Sequence, residues 1–327
     1  MKLECIRIRL KKVSLILSFM LFWQITSWCQ RDVLFDLDYC KNLYRADSFH
    51  SIKSYDSALR YYRDIAYSNS VFREDRTMYV SIFECFRGKG QLDSAFYFVH
   101  RALEYGLHCL VDNPTGQCEI GPGYLVFDKK RNDLLARMYR ENNRVNSFDS
   151  SLYKQIKAMI DNDQAARLTD DNLGDATGLN RDSLYGALRQ VDGLNTMNTK
   201  AIIHKHGWPG YHKLGATGDN ALWALVQHAD QDVAFQEYVL KLIEASILEN
   251  NTNRRNYAYL YDRICVNKGL PQVFGTQADR NADEIRPHPL RDKQNVNYYR
   301  HACGLESMEA YFEYFRRRSS NKNKRGK

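Results

Sequence analysis

The stretch DNALWALVQHADQDVAFQEYVLKLIEASILE, from Asp219 to Glu249, decides the fold class. Asp219 is a typical helix N-cap residue, and the stretch predicts one long helix that ends near Glu249. Its apolar residues recur at helical spacing and cover most of the surface: Leu222, Trp223, Leu225, Val226, Ala229, Val233, Phe235, Tyr238, Leu240, Leu242, Ile243 and Ile247. A helix that is apolar on most sides packs inside a layer of other helices. The stretch therefore predicts the central helix of a helical domain.

Patterns on both sides of this stretch predict further helices and no strand-rich region. A helix over residues 198–205 is stopped by Gly207 and Pro209. Another helix runs from Ser151 to about residue 167, followed by a long loop and a short helix over 181–191. The predicted fold is all-α, with a helical N-terminal region of degenerate tetratricopeptide-like hairpins packed on a compact helical C-terminal domain.

The N-terminal region, residues 30–148, has two weakly similar helical hairpin patterns. Ala58 and Ala95 occupy corresponding places and are 37 residues apart, whereas a tetratricopeptide repeat has a period of about 34. Small residues at such places allow two helices to cross closely. An ordinary pair of helical hairpins without a peptide-binding role remains an alternative.

Residues 1–29 have the three parts of a secretory signal peptide. Lys2 and Arg7 belong to a basic start, residues 13–23 form an apolar core too short to span a bilayer, and cleavage is expected before Gln30. An uncleaved membrane anchor is the alternative. The expected location is outside the cytoplasm, periplasmic or extracellular, with no transmembrane span after cleavage.

The basic charge of the chain is concentrated at its two ends. The whole chain has a net charge of +8, but residues 1–29 contain five basic and one acidic side chain and residues 316–327 contain seven basic ones. The remainder has 35 basic and 38 acidic residues, a net charge of −3. This balance argues against a nucleic-acid partner. The basic end, 316–327, is expected to be a disordered tail, with contact to anionic lipid or polysaccharide as the alternative.

Six cysteines remain after cleavage of the signal peptide. Cys109 and Cys118 flank a run of turn-forming residues and are the one pair expected to form a disulfide bond. The other four lie on helical patterns, where a buried free thiol is the expectation: Cys40, Cys85, Cys265 and Cys303.

Polar residues in the C-terminal half are the functional candidates, because a largely apolar helix that carries polar groups must find partners for them. The catalytic candidates are His228, Asp230, Asp262 and Arg263, and the ligand-binding candidates are His206, Trp208, Gln227 and Gln277. His206 and Gln277 are expected to join the four catalytic candidates in one cluster, in which Arg263 is the counter-ion of a carboxylate. No metal site and no cofactor are predicted, because a set of His206, His228 and either aspartate lacks the ligand spacing of zinc sites.

The same half resembles a known family in the order of its motifs. The series comprises Asp163-Gln164, His206-Gly207-Trp208-Pro209, Gln227-His228-Ala229-Asp230, Phe235-Gln236, Asp262-Arg263 and Gly275-Thr276-Gln277. It resembles an uncharacterised bacterial family, domain of unknown function 6624, over about residues 149–315. Phe274 stands where a tyrosine is expected. The resemblance implies a domain boundary near residue 149 and an export-associated context, and it implies no activity.

Two classes of function fit these features. The first is an exported binding or interaction protein whose partner is an unknown protein or a cell-envelope ligand. The alternative is a hydrolase-like enzyme that uses His228 with Asp230, Asp262 and Arg263 in a pocket of the C-terminal domain. An enzyme requires these side chains to converge on an open site, whereas a structural network would be closed over.

Overall fold

The structure is a computed structural model that describes residues 34–68, 70, 72, 75–105, 107, 122–144, 148–173, 181–279 and 286–314. The chain divides into two units, Met1–Asp36 and Leu37–Lys327. Helices dominate the described residues, which confirms the predicted all-α class. Among these residues, none of the helices combines the length and the hydropathy that a membrane-spanning segment requires. The expected signal peptide, the Cys109–Cys118 pair and the basic tail lie outside the described residues.

Two helical hairpins begin the second unit. The first consists of α1 (Leu37–Ser51) and α2 (Tyr55–Ala66), and the second of α3 (Arg76–Gly88) and α4 (Leu92–Glu104). Each hairpin has a turn of three residues, 52–54 or 89–91, and turns this short place the two helices antiparallel and in contact. After a short 3₁₀ turn at Pro122–Tyr124, α5 (Lys129–Arg144) packs on the second hairpin through Leu135 and Tyr139.

Within the described residues, seven further helices form the C-terminal part of this unit. Their bounds are α6 Ser150–Leu173, α7 Arg181–His206, α8 Gly210–Gln227, α9 Val233–Leu248, α10 Arg254–Asn267, α11 Val296–Ala302 and α12 308–314. Between α10 and α11, the two-residue strands β1 (Ala278–Asp279) and β2 (Arg286–Pro287) pair antiparallel, with Ala278 opposite Pro287. Buried apolar residues of α9 and α10 form much of the core: Val239, Leu240, Ile243, Ile247, Tyr257, Leu260 and Ile264.

Both α6 and α7 are longer than the sequence patterns predict. α6 continues to Leu173, and α7 runs without a break from Arg181 to His206, through the segment expected to separate two short helices. Asn195, Thr199 and Ile202 follow one face of α7 and are buried. This packing outweighs the cost of Gly193 inside the helix, about 1 kcal/mol relative to alanine.

Polar contacts join the hairpins to the C-terminal helices. Arg254 at the start of α10 forms an ion pair with the buried Asp75. Arg76 donates from Nη2 to the backbone oxygen of Asn250 at 2.6 Å. These contacts connect residues that are more than 170 positions apart, so the helical hairpins and the C-terminal helices share one interface within the unit.

The cysteines of the described residues fall into two classes. Cys40, Cys85 and Cys303 are buried free thiols, as expected. Cys265 of α10 is disulfide-bonded, so the expectation of a free thiol is wrong at this position. A helical pattern predicts that the side chain is buried but does not exclude a bonding partner from a distant segment.

Candidate functional site

His228 lies in a turn between two helices. α8 ends at Gln227 and α9 begins at Val233, so the single helix predicted from Asp219 to Glu249 is wrong. The cause is a local cap, because the Asp232 side chain accepts a hydrogen bond from the backbone N–H of Phe235 at 3.0 Å and starts a new helix. Asp219, the expected N-cap, is instead buried within α8. The break places His228 and Asp230 at the end of a helix, where they reach other elements.

A buried carboxylate holds the imidazole of His228. Its Nδ1 atom lies 3.0 Å from Oδ2 of Asp163 in α6, whose side chain is 0% exposed. Arg167, one turn later in α6, donates from Nε to Asp163 Oδ2 at 3.1 Å and from Nη2 to Oδ1 at 3.2 Å. The same Nη2 atom pairs with Asp192 of α7. These four residues form one continuous polar group, the His228 cluster.

The two carboxyl groups of the His228 cluster have opposite pKa shifts. Burial alone would raise the pKa of Asp163, but hydrogen bonds from His228 and Arg167, together with their charges, lower it to about 2. Burial raises the pKa of Asp192, and the attraction of Arg167 offsets only part of that rise. Asp163 is therefore ionised at neutral pH, whereas Asp192 keeps its proton more readily than an ordinary aspartate.

A second polar group lies around Asp230. Arg263 of α10 donates from Nε to Oδ1 of Asp230 at 2.8 Å and from Nη1 to Oε1 of Gln277 at 3.3 Å. Asn267 also donates to Oδ1 of Asp230, at 2.8 Å. We call these four residues the Asp230 cluster. The negative charge of Asp230 contributes to the raised pKa of Asp192, so the two clusters influence each other electrostatically.

Asp262 belongs to a different, fully buried network. Its Oδ1 atom accepts the backbone N–H groups of Val273 and Phe274 at 2.8 and 3.0 Å, and its Oδ2 atom accepts the N–H and the hydroxyl of Thr276, both at 2.9 Å. Burial raises the pKa of Asp262, and these backbone hydrogen bonds oppose the rise. Asp262 thus fixes the loop after α10 and does not join the catalytic candidates in one cluster as predicted.

Two of the ligand-binding candidates also lie apart from His228. Trp208 is buried and donates from Nε1 to Oδ1 of Asp219 at 2.9 Å. The neighbouring Gly210 has φ +58, and a Cβ atom there would lie 2.1 Å from the backbone oxygen of Asn251; the motif therefore packs against that backbone. His206 ends α7 and, within the described part of the chain, makes no hydrogen bond or ion pair with the other predicted cluster members. In the described structure, Arg263 contacts Asp230 and Gln277, but no hydrogen bond or ion pair joins these three residues to His206, His228 or Asp262, so the six predicted residues do not form one hydrogen-bonded cluster.

Four buried polar groups near the His228 cluster in sequence have no hydrogen-bond partner in the described structure. Two lie on α7, the helix that carries Asp192, and two lie on α8, the helix that ends directly before His228. They are Nδ2 of Asn195, Oγ1 of Thr199, Nε1 of Trp223 and Nε2 of Gln227. Asn195 and Thr199 follow Asp192 along one face of α7, and Gln227 directly precedes His228. Buried groups of this kind are rare in folded proteins because each costs about 1–3 kcal/mol unless a water or ligand satisfies it.

One set of side chains has the chemistry of a metal site. Asp163, Asp192 and His228 each offer a ligand atom, and these atoms lie within 4.8 Å of one another. Carboxylate and imidazole ligands suit divalent manganese, iron and zinc. Arg167 already pairs with both carboxylates, so a metal ion would have to displace its guanidinium group. The ligand spacing of zinc sites is a pattern along the chain and does not identify this set, because its members come from α6, α7 and the turn after α8.

Sequence reasoning identified His228 but not all of its partners. Asp163 entered only through the family resemblance, and Arg167 and Asp192 were not identified as candidates. The sequence does contain a signal that pairs Asp163 with Arg167, because these two residues are four positions apart and share a helix face. No local pattern connects Asp192 with His228. Asp192 lies within α7, where the sequence patterns predicted two short helices instead of one long one.

Comparison with known proteins gives a family without an assigned activity. The sequence model of one family, described as "Family of unknown function (DUF6624)", matches residues 150–323. No curated protein and no solved structure matches the chain. The matched range contains both the His228 cluster and the Asp230 cluster.

Proposed function

This chain belongs to the family of unknown function DUF6624, and we propose a function for it from the geometry of the His228 cluster. The protein is a hydrolase-like enzyme in which His228 is the general base. The observation that supports this function is the contact of 3.0 Å between His228 Nδ1 and the fully buried carboxylate of Asp163. The proposal keeps His228 from the alternative considered in the sequence but assigns the supporting roles to Asp163 and Asp192 instead of Asp230, Asp262 and Arg263.

The position of the proton on His228 follows from its neighbours. An ionised carboxylate only accepts hydrogen bonds, and Asp163 has a pKa of about 2. Nδ1–H of His228 therefore donates to Asp163, and Nε–H of Arg167, which also lies 3.2 Å from His228 Nδ1, donates to Oδ2 of the same carboxylate at 3.1 Å. This tautomer leaves the lone pair on Nε2. The His228 side chain is 21% exposed, so part of the ring is open to solvent.

Asp192 supplies the matching acid. Groups whose surroundings shift their pKa values in opposite directions are suited to opposite roles in proton transfer. Nε2 of His228 takes a proton from water, and the water oxygen bonds to the electrophilic carbon of the substrate. The bond from that carbon to the leaving group breaks, and the leaving group takes a proton from Asp192. The proton on His228 then returns through solvent to Asp192, so the enzyme is unchanged after one cycle.

The charge and the unpartnered donors of the site indicate the class of substrate. With Asp192 protonated and His228 neutral, the carboxylates of Asp163 and Asp230 balance the guanidinium groups of Arg167 and Arg263, so the two clusters have no net positive charge to attract a phosphoryl or other anionic group. The amide nitrogens of Asn195 and Gln227 and the indole nitrogen of Trp223 are donors without a partner. They suit a neutral group rich in carbonyl or hydroxyl oxygens, such as an ester, an amide or a glycoside.

Replacement of His228 with alanine is expected to abolish hydrolysis. The test is a panel of neutral chromogenic esters, amides and glycosides, assayed with the full chain. General base catalysis contributes about 100-fold or more to a rate, so kcat should fall by about that factor, and added imidazole should restore part of it. Asp163→Asn should lower kcat with little change in KM, because it disturbs the orientation of His228 rather than a substrate contact.

His204→Ala is the matched control for these variants. His204 is an exposed residue of α7, and its removal should leave hydrolysis unchanged. The proposal fails if the wild-type protein cleaves none of the three bond classes, or if His228→Ala retains wild-type activity. Rescue by imidazole separates loss of a base from loss of the fold, since a misfolded protein does not recover activity when a small base is added.

We also propose that the chain is exported to the periplasm or outside the cell. The signal-like composition of residues 1–29 supports export, as does the disulfide bond at Cys265, because disulfides persist in oxidising compartments. Mass spectrometry of protein recovered from the producing cell should show an N-terminus at Gln30. Recovery of chains that still contain Met1–Cys29 would contradict cleavage and favour a membrane anchor.

The hairpins α1–α2 and α3–α4 are proposed to be degenerate tetratricopeptide units. Ala58 and Ala95, the small residues that defined the repeat in the sequence, are both fully buried. This burial supports their role as close-packing positions between helices.

A further inference from the structure

We propose that a groove on the two N-terminal hairpins binds an extended acidic peptide segment of a partner protein, one in which acidic residues alternate with apolar ones. The groove has a volume of about 710 Å³ and is formed by α2, α3 and α4. It is remote in sequence from the His228 cluster and shares no residue with it, so this inference is independent of the proposed enzyme activity.

Each of the three helices contributes one row of side chains. α2 and the residue after it supply Arg60, Arg63 and Tyr67, spaced three and four residues apart as neighbours on one helix face. α3 supplies Ile82 and Phe86, which form an apolar floor. On the far wall, α4 supplies Tyr97 and Arg101, again four residues apart.

The charge of the groove points to an acidic ligand. Asp56, the one carboxylate among the described residues that line the groove, pairs with Lys89, and Arg101 pairs with Glu104 at 2.8 Å. Arg60 and Arg63 are exposed and form no ion pair with any described residue. Two uncompensated cations on one wall, beside an apolar floor, complement a chain that presents carboxylates on one side and apolar side chains on the other.

Two exposed aromatic rings indicate contact with a protein. Tyr67 is 85% exposed and Tyr97 is 57% exposed, although both line the groove. Tyrosine and arginine are enriched in the energetically dominant positions of protein interfaces. The apolar floor formed by Ile82 and Phe86 also favours a peptide over an anionic polysaccharide, which has no apolar side chain to place there.

The spacing of the two arginines fits an extended chain. Side chains three apart on a helix have Cβ atoms about 5–6 Å apart, and alternate side chains of an extended peptide are about 7 Å apart. The flexible arginine side chains can span this small difference. Acidic residues at alternate positions can therefore reach Arg60 and Arg63 together, while the residues between them face the floor.

The test is fluorescence anisotropy of the full chain with a labelled nonapeptide in which glutamate alternates with phenylalanine and leucine. Arg60→Glu combined with Arg63→Glu should weaken binding by about tenfold or more, and Tyr97→Ala should weaken it several-fold, as expected for central interface residues. A peptide with lysine in place of glutamate should not bind. A peptide with serine in place of the apolar residues should bind more weakly than the probe.

The matched control is Lys129→Glu combined with Lys130→Glu, which makes the same charge change on exposed residues of α5 outside the groove. This pair should leave the affinity for the probe nearly unchanged. An equal loss in the control pair, or no detectable binding of the probe to the wild-type chain, would overturn the proposal. Displacement of the probe by an anionic polysaccharide that binds the Tyr97→Ala variant as well as the wild type would identify a polyanion surface instead.

Discussion

Replacement of Asp262 with alanine is expected to lower the free energy of unfolding by about 3–5 kcal/mol. The carboxylate accepts three backbone N–H groups and one hydroxyl, and all of these bonds are buried. Alanine would leave the three N–H groups of Val273, Phe274 and Thr276 without an acceptor. Each such group costs about 1–3 kcal/mol, and a loss of this size is a large part of the usual total stability of about 5–15 kcal/mol.

The measurement is denaturant unfolding of the full chain at neutral pH. Asp262→Asn keeps one acceptor oxygen and should lose less stability than the alanine variant. Asp161→Ala removes an exposed carboxylate whose ion pair is with Lys157, and a surface pair of this kind contributes about 0.5 kcal/mol or less. If Asp262→Ala were no more destabilising than Asp161→Ala, the hydrogen bonds of Asp262 would not stabilise the loop as described.

The helical class of the fold could be predicted because it depends on local patterns. Gly207, expected to stop a helix in the left-handed conformation, has φ +64 and follows the last residue of α7. The break between α8 and α9 was missed because apolar spacing continued through it, while the signal for the break was a single side chain, Asp232. A repeating pattern thus outweighed one cap in the prediction, although the cap determines where the helix starts.

The candidate site was predicted only in part, because its contacts depend on tertiary structure. Arg263 pairs with a carboxylate, as predicted, and the structure identifies that carboxylate as Asp230. His228 and Asp163 are 65 positions apart, and no sequence pattern favours Asp163 over Asp230 or Asp262 as the partner of His228. The turn after α8 determines the partner of His228, because it places His228 against α6. Predicting that contact requires the packing of three helices.

The stability of the protein is expected to fall as pH rises from about 4 to about 7, through Asp219. Burial raises the pKa of this carboxyl group from 3.8 to about 7, although hydrogen bonds from Thr252 and Trp208 oppose the rise. Between these two values the folded protein keeps a proton on Asp219 that the unfolded chain has lost. The contribution is thus fully present below pH 3.8 and is lost as pH rises through about 7.

The size of this effect is on the order of 4 kcal/mol, because each unit of pKa difference corresponds to about 1.4 kcal/mol. Asp163 has the opposite sign: its pKa of about 2 lies below the ordinary 3.8, so its contribution is present above pH 3.8 and is lost as pH falls toward 2. The two groups therefore titrate in separate windows. A variant of one of them should leave the pH dependence due to the other unchanged.

Asp219→Asn removes the titrating group while keeping its shape, so the difference in unfolding free energy between wild type and variant isolates Asp219 from every other ionisable group. That difference should change by about 4 kcal/mol between pH 4 and pH 7, with the wild type favoured at the acidic end.

Trp208 provides a direct signal, since its Nε1 atom donates to Asp219 at 2.9 Å. Its fluorescence should change with a midpoint near pH 7 in the wild type and stay constant in Asp219→Asn. A wild-type titration with a midpoint near pH 4 would show that Asp219 is ionised in the folded protein, and the network of Trp208, Thr252 and Asn256 would then stabilise a charge instead of a neutral acid.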